Sequence, residues 1–515
     1  MSPYADSIVH NASVITLDPQ RPRAQLVAIK AGRVVHVGSN SDRKSIEGRG
    51  TKVVDCQGKT LIPGFNDAHC HILAFAANLL SIDCSPAAVK SIADIKAHIR
   101  RKAETLPAGA WVRASGYNEF YLAERRHPNR WDLDEAVPQH PVKLAHRSGH
   151  ACVLNSLALS IVGISMDSAE LPGGMIDRDL DSGEPNGILF DMDHYLDGKI
   201  PPLSPDELEQ GVALANEQYL AAGITSLQDA TARNGLPQWR AFGRMHERGQ
   251  LTPRLSVMLG ISYLQEIQEN GLPPRRGDDE LRMGALKVIL TETRGLIHPS
   301  QNELDALVLG AHRAGYQVAI HAVEEGTVAA ATRALENARR CDPEPPLRHR
   351  IEHCSLCPPS LLERLKRSRA VVVTNPSFLY FSGERYLATV PHEQQQWLYR
   401  MGSFFQAGLV AAAGSDSPVV PINPLLGLQA AISRKAETGA ALNSNERISP
   451  LQALQMYTSN AAYASFDEQV KGSISAGKLA DFTLLDGDPT AVPAEAIPEI
   501  KVEMTIVGGS IAWHR

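Results

Sequence analysis

The chain has 515 residues, 43% hydrophobic and 21% charged, and its 51 Lys+Arg against 57 Asp+Glu leave a formal charge of −6. That balance excludes a nucleic-acid binder relying on bulk positive charge and an acidic disordered chain. No apolar run approaches the roughly 18 residues that span a bilayer, MSPYADSIVHNASVITLD lacks a basic segment followed by an apolar core, and seven unpatterned Cys suit a reducing cytoplasm better than a disulfide scaffold.

Residues 6–60 read as short strands separated by turns, among them Ser13-Val14-Ile15-Thr16-Leu17, Leu26-Val27-Ala28-Ile29 and Gly32-Arg33-Val34-Val35-His36-Val37-Gly38. Residues 470–515 resume that texture with Asp481-Phe482-Thr483-Leu484-Leu485 and Met504-Thr505-Ile506-Val507. Strands at such spacing indicate a small β-sandwich, here assembled from 1–60 and 469–515. Between them the rhythm changes to short apolar runs alternating with helical stretches, the signature of a parallel sheet. Eight strands are expected: Leu61–His69, Gly223–Asp229, Pro253–Leu259, Ala285–Leu290, Tyr316–His321, His349–His353, Ala370–Asn375 and Leu409–Asp416. Helices are expected at 300–314 and 324–339. The fold class is therefore α/β, a (β/α)8 TIM barrel over 61–468. The stretch 75–205, too long for a simple connection, is read as an insertion after the first strand that covers the barrel mouth.

The sharpest local feature is Pro63-Gly64-Phe65-Asn66-Asp67-Ala68-His69-Cys70-His71. In a strand, residues i and i+2 share a face, so His69 and His71 can hold one metal ion while Cys70 points away. With 18 His in the chain, such a pair arises by chance about 0.6 times, so it carries little alone. Its weight comes from three other residues: His321 closes the fifth strand, His353 the sixth and Asp416 the eighth. All emerge at the C-terminal rim, where barrel enzymes place catalytic groups, and together they make a metal site. Lys287 lies in the fourth strand among apolar residues. An ammonium is costly to bury unpaired and does not ligate a cation. It either pairs with Asp416 or another carboxylate, or takes up carbon dioxide as a carbamate, a bidentate anion able to bridge two metals. His150 either hydrogen-bonds substrate or holds a turn. Phe378 and Tyr380, after strand seven, are expected to line an apolar pocket. Arg348-His349-Arg350 reads as a solvated strand start, and Cys354-Ser355-Leu356-Cys357 as a plain loop.

These residues resemble the amidohydrolase superfamily, and within it the amidohydrolase-3 branch of N-substituted formamide deformylase and YtcJ-like proteins. The family-like segments are Arg147-Ser148-Gly149-His150 with Asn155-Ser156, Gly173-Gly174-Met175-Ile176-Asp177-Arg178, Gly183-Glu184-Pro185-Asn186-Gly187, Gly223-Ile224-Thr225-Ser226, Gly414-Ser415-Asp416-Ser417-Pro418-Val419, and Gly472-Ser473-Ile474 with Gly477-Lys478-Leu479-Ala480-Asp481. The resemblance implies that His69, His71 and Asp416 hold one divalent ion and His321 and His353 a second, zinc in both cases, with Lys287 as the bridging carbamate. Where relatives commonly follow the strand-four Lys with Asp-Gly and a Gly-Ser-Arg-like stretch, this chain has Thr291-Glu292-Thr293-Arg294-Gly295. The implied activity is hydrolysis of a small-molecule amide C–N bond, of N-formyl or N-acyl amine type, by a metal-activated water, with Asp416 passing the proton to the leaving nitrogen. Alternatives are a deaminase acting on a cyclic amidine-like carbon, which the strand-four Lys disfavours, and a non-catalytic barrel scaffold, which the filled ligand positions disfavour. The expected partner is a small-molecule substrate, with neither nucleic acid nor membrane, and a homodimer is compatible with the sequence.

Overall fold

The computed structural model describes residues 4–169, 174–293, 295–344 and 346–515; Gly173 and Arg294, named above, lie outside them. Eight strands form one all-parallel sheet whose neighbours follow chain order: β1 (Phe65–Cys70), β2 (Ile224–Asp229), β3 (Arg254–Gly260), β4 (Leu281–Ile289), β5 (Val318–Ala322), β6 (Arg350–His353), β7 (Val371–Thr374) and β8 (Ala411–Ala413). These strands are buried along most of their length, which is why they read as apolar runs without alternation. The row nearly closes on itself. The Asp416 amide donates to the His69 carbonyl at 2.7 Å, and the Ser415 amide to Asp67 Oδ1 at 2.9 Å, returning the segment after β8 to β1. Helices cover the strands where the periodicity places them. Gln301–Arg313 follows β4 and presents Leu304, Val308 and Ala311 inward, and Glu325–Cys341 follows β5. The (β/α)8 class holds.

The terminal segments form two sheets. One runs in the order Arg33–Gly38, Leu26–Lys30, Ser7–His10, Lys52–Asp55; its hairpin turns at Ala31-Gly32, both with positive φ (49° and 72°), the geometry a two-residue turn needs to match strand twist. The other joins Ser510–His514, Val502–Val507 and Phe482–Leu485 to Thr60–Pro63, Ser13–Ile15 and Arg23–Ala24, so residues from both ends share one sheet. The single strand expected over Leu61–His69 is in fact two. Leu61 and Ile62 pair with Leu484 and Thr483, and the barrel strand begins at Phe65. Gly64 makes the step, because a Cβ there would lie 2.1 Å from Thr225 Oγ1. The eighth strand is likewise shorter than expected and ends at Ala413, so Asp416 sits in the loop beyond it with φ 58°.

Residues 72–215, with 417–420, group as a second compact unit. Its sheet has the order Met175–Arg178, Pro185–Phe190, Ala151–Leu154, Val142–His146, Val112–Tyr117, Ile82–Asp83. The last three strands are parallel and linked through helices Ile92–Ala103 and Arg130–Ala136. A core including Ile95, Ile99, Val112, Leu133, Leu144 and Val153 holds this layer together. Among the described residues, no helix is long and apolar enough to cross a membrane.

Arg348-His349-Arg350 is not a solvated strand start: Arg350 is 1% exposed and His349 9%. Both find internal partners that replace water. The Val318 amide donates to His349 Nδ1 at 2.9 Å, so His349 Nε2–H donates to His312 Nδ1 at 2.8 Å, and His312 Nε2–H to the Asp342 carbonyl at 2.7 Å. This chain satisfies both rings only when both are neutral. Burial, and then the neighbouring His312, push His349 down to about 3. The unfolded chain therefore binds the extra proton first. The stability contributed by His349 is complete above about pH 6.5 and falls by up to roughly 1.4 kcal/mol per pH unit on acidification toward pH 3. Thermal midpoints measured between pH 7.5 and 5 are expected to drop more steeply for the wild type than for His349→Asn.

Candidate active site

The C-terminal end of the barrel gathers the imidazoles and one carboxylate. His69 is the fifth residue of β1 and His71 follows the strand; His321 is the fourth residue of β5; His353 ends β6 with φ 65°. Nitrogen and oxygen atoms of His69, His353 and Asp416 lie within 4.8 Å of one another, and all three residues are buried. His71 joins them through Nε2, 3.0 Å from Asp416 Oδ1. The His321 ring centroid is 4.5 Å from that of His353, which is 4.8 Å from that of His69. The structure thus brings together His69, His71, His321, His353 and Asp416.

Each ring that closes on Asp416 is tethered from behind. His69 Nδ1 meets Glu352 Oε2 at 2.5 Å, His71 Nδ1 meets Thr231 Oγ1 at 2.9 Å, and His353 Nδ1–H donates to Asn375 Oδ1 at 2.7 Å. Asn375 is itself oriented by donating Nδ2–H to the Gly414 carbonyl at 3.0 Å. Ligating histidines are characteristically held this way, one nitrogen on a protein oxygen and the other free for the ion. His69 Nε2 is buried without a well-formed hydrogen bond, 3.4 Å from Asp416 Oδ1. An orphaned imidazole nitrogen facing a carboxylate at that separation is the arrangement a divalent cation would complete, and the His/Asp donor set suits zinc or a similar ion.

Charge is concentrated here. Burial alone would raise the Asp416 carboxyl, but hydrogen bonds from His69 and His71 outweigh it and hold it well below the usual carboxylate range. Burial and the Lys287 charge push His69 down, and the Asp416 and Glu352 carboxylates more than offset them, leaving it above its ordinary value. Burial drives His353 down to about 3. Lys287 in β4 is 2% exposed, and its Nζ has no hydrogen-bond partner. Burial lowers it to about 8 against the pull of Glu352 and Asp416.

Phe378 stacks on the His353 imidazole, ring centroids 6.4 Å apart and planes 22° apart. Tyr380, two residues on in the helix Ser377–Thr389, points elsewhere, since positions i and i+2 do not share a helix face; its ring packs on Phe381. His150 belongs to the second unit, where its Nδ1 lies 2.7 Å from Asp191 Oδ1. In that unit Arg147 Nε also donates to the Val419 carbonyl at 2.8 Å. Sequence reasoning missed Glu352, Arg350 and Asn375. The available signal was Arg350 and Glu352, opposite charges two apart on one face of a strand that ends in a ligand.

The profile of the Amidohydrolase family matches residues 52–512. The chain belongs to that family. As an amidohydrolase it is a hydrolase of carbon–nitrogen bonds other than peptide bonds. It is 29% identical over 545 aligned residues to the N-substituted formamide deformylase of Arthrobacter pascens, covering 100% of this chain and 99% of that one. To YtcJ of Bacillus subtilis (strain 168) it is 25% identical, covering 99% of each chain. An uncharacterized metal-dependent hydrolase from Pyrococcus horikoshii shares the fold, with a TM-score of 0.76 at 22% identity over 95% of this chain and 99% of that one.

In this amidohydrolase the return of the chain to β1 depends on Gly414. A Cβ there would lie 2.6 Å from the His69 Cβ and backbone nitrogen, so only glycine lets the Asp416 loop close on β1. Gly414→Ala is expected to cost about 1–3 kcal/mol by overpacking and to lower retained metal, read by thermal midpoint and elemental analysis.

Proposed function

We propose that this amidohydrolase hydrolyses the C–N bond of a small N-formyl or N-acyl amine at a centre of two divalent ions, zinc by preference. His69, His71 and Asp416 would hold one ion, His321 and His353 the other, and Lys287, as a carbamate, would bridge them. The observation that carries this reading is Lys287 Nζ, which is buried and unpartnered beside imidazoles and carboxylates. For an ammonium there the cost of burial outweighs the pull of Glu352 and Asp416 and no hydrogen bond offsets it, whereas a carbamate would turn the same side chain into an anionic ligand. The substrate class is supported by similarity to the formamide deformylase along the full length of both chains.

Bound divalent ions supply Lewis acidity toward a carbonyl oxygen and lower the pKa of water. The chain's own groups do the rest. Both Glu352 oxygens are engaged by Arg350 and one also by His69, which leaves Asp416 as the carboxylate able to take the proton of the attacking water and deliver it to the departing nitrogen. The Phe378 ring beside His353 would offer an apolar wall for the acyl or N-substituent. The protein would work in the cytoplasm, where its seven Cys remain thiols as they are here. It would act on small molecules without nucleic acid or membrane, alone or as a homodimer.

Amine release from a panel of formamides, acyl amino acids and cyclic amides is expected to single out the N-formyl or N-acyl amines. Ammonia release from a cyclic amidine, with no amide turned over, would transfer the assignment to a deaminase. Asp416→Asn, with metal supplied, is expected to lose about 10²–10⁴-fold in kcat; a normal rate would remove Asp416 from its role. Elemental analysis of chelator-free protein is expected to give about two equivalents of metal, falling in Lys287→Ala.

A further inference from the structure

We infer that Glu352, braced by Arg350, is a positioning residue that fixes the tautomer and rotation of His69 before any cation arrives. The inference rests on the metal reading above, and its observations are independent of substrate. His69, Glu352 and Arg350 are 1%, 0% and 1% exposed. A carboxylate taken fully out of water must be paired and hydrogen-bonded to persist. Glu352 Oε1 accepts from Arg350 Nε at 2.7 Å, and Oε2 from Arg350 Nη2 at 2.9 Å and from His69 Nδ1 at 2.5 Å.

The guanidinium is anchored in turn. Its Nη1 donates to Gln228 Oε1 at 2.6 Å and its Nη2 to the Ala68 carbonyl at 2.8 Å. Gln228 Nε2 donates to Asn66 Oδ1 at 3.2 Å and to the Ala461 carbonyl at 2.8 Å. The braces therefore sit on β1, β2 and β6 at once, and no member can rotate without breaking several buried bonds.

The chemistry of the members sets the proton. Arginine only donates and an ionised glutamate only accepts, so the hydrogen between Glu352 and His69 belongs to Nδ1, and Nε2 is the nitrogen left to face Asp416 and to ligate a cation. Arg350 alone would satisfy the carboxylate. The third bond, to His69, is what an ion pair serving only stability would not need. A carboxylate behind a ligating imidazole also raises its basicity, and removing such a partner typically weakens metal affinity by about 10–100-fold.

The test compares metal-free wild type with Glu352→Gln, which keeps the side chain's shape. Zinc affinity is read by competition with a chromophoric chelator, and imidazole N–H resonances by NMR on ¹⁵N-histidine-labelled protein. Glu352→Gln is expected to bind zinc about 10–100-fold more weakly and to lose a downfield Nδ1–H signal that metal-free wild type shows and His69→Gln lacks. In a His69→Ala background, Glu352→Gln should weaken zinc no further, whereas a general structural defect would weaken it in both backgrounds. An affinity within twofold of wild type, or an equal loss in the His69→Ala background, overturns the inference. If Glu352→Gln does not fold, the downfield proton of metal-free wild type decides, and its absence overturns the pairing. No zinc binding by the wild type overturns the metal reading, and the same proton then decides the Glu352–His69 pairing by itself.

Discussion

One backbone hydrogen bond, from the Asp416 amide to the His69 carbonyl at 2.7 Å, joins the end of the barrel to its beginning. Around it the two ends of the sheet also exchange the Ser415 amide and the Asp67 carboxylate, and Gly414 leaves room for His69. Because this seam lies at the C-terminal rim, closing the barrel and assembling the candidate donors are the same event. The carboxylate donor stands beside the imidazole donors because the first and last strands are neighbours, and the intervening strands bring His321 and His353 to the same rim.

Such a seam places polar groups where water cannot reach, and the structure meets the cost locally. Buried charges are answered inside the barrel, Glu352 by Arg350 and His69, Asp416 by His69 and His71. Among the described residues Lys287 Nζ has no hydrogen-bond partner. Toward the other end of the barrel, Arg254 Nε and Nη2 meet both oxygens of Asp481 at 2.6 and 3.0 Å, tying β3 to the terminal sheet. A bidentate, desolvated pair of that kind fixes orientation as much as it adds stability.

Much of the site was legible because residues at barrel rims follow apolar runs, as His321 and Asp416 do, while His69 stood out through its His-x-His pair and His353 by closing the sixth expected strand. The closing turns were not legible. His353 and Asp416 adopt φ of 65° and 58°, a conformation that nothing in Ile-Glu-His or Gly-Ser-Asp announces. Arg350 and Glu352 were hidden for a different reason: a charged strand start ordinarily signals solvent, and only the partners on β1 and β2, far away in sequence, make burial tolerable. The division at Gly64 escaped notice because the residues on both sides are apolar and serve two different cores. In the stretch 75–205 the turn signals were visible, while the parallel layer built from Ile82–Asp83, Val112–Tyr117 and Val142–His146 was not, since short strands carry little periodicity.

The pairing of Thr60–Pro63 with Phe482–Leu485 bears on how the molecule is made. Contacts between residues this distant incur loop-closure entropy before any packing offsets it, and such topologies fold slowly. During synthesis, at about 5–20 residues per second, Thr60–Pro63 leaves the ribosome before its partner Phe482–Leu485, and β1 before the β8 segment that returns to it. For that interval the strand bearing His69 exposes an unpaired edge, the kind of surface on which partly made chains pair with one another.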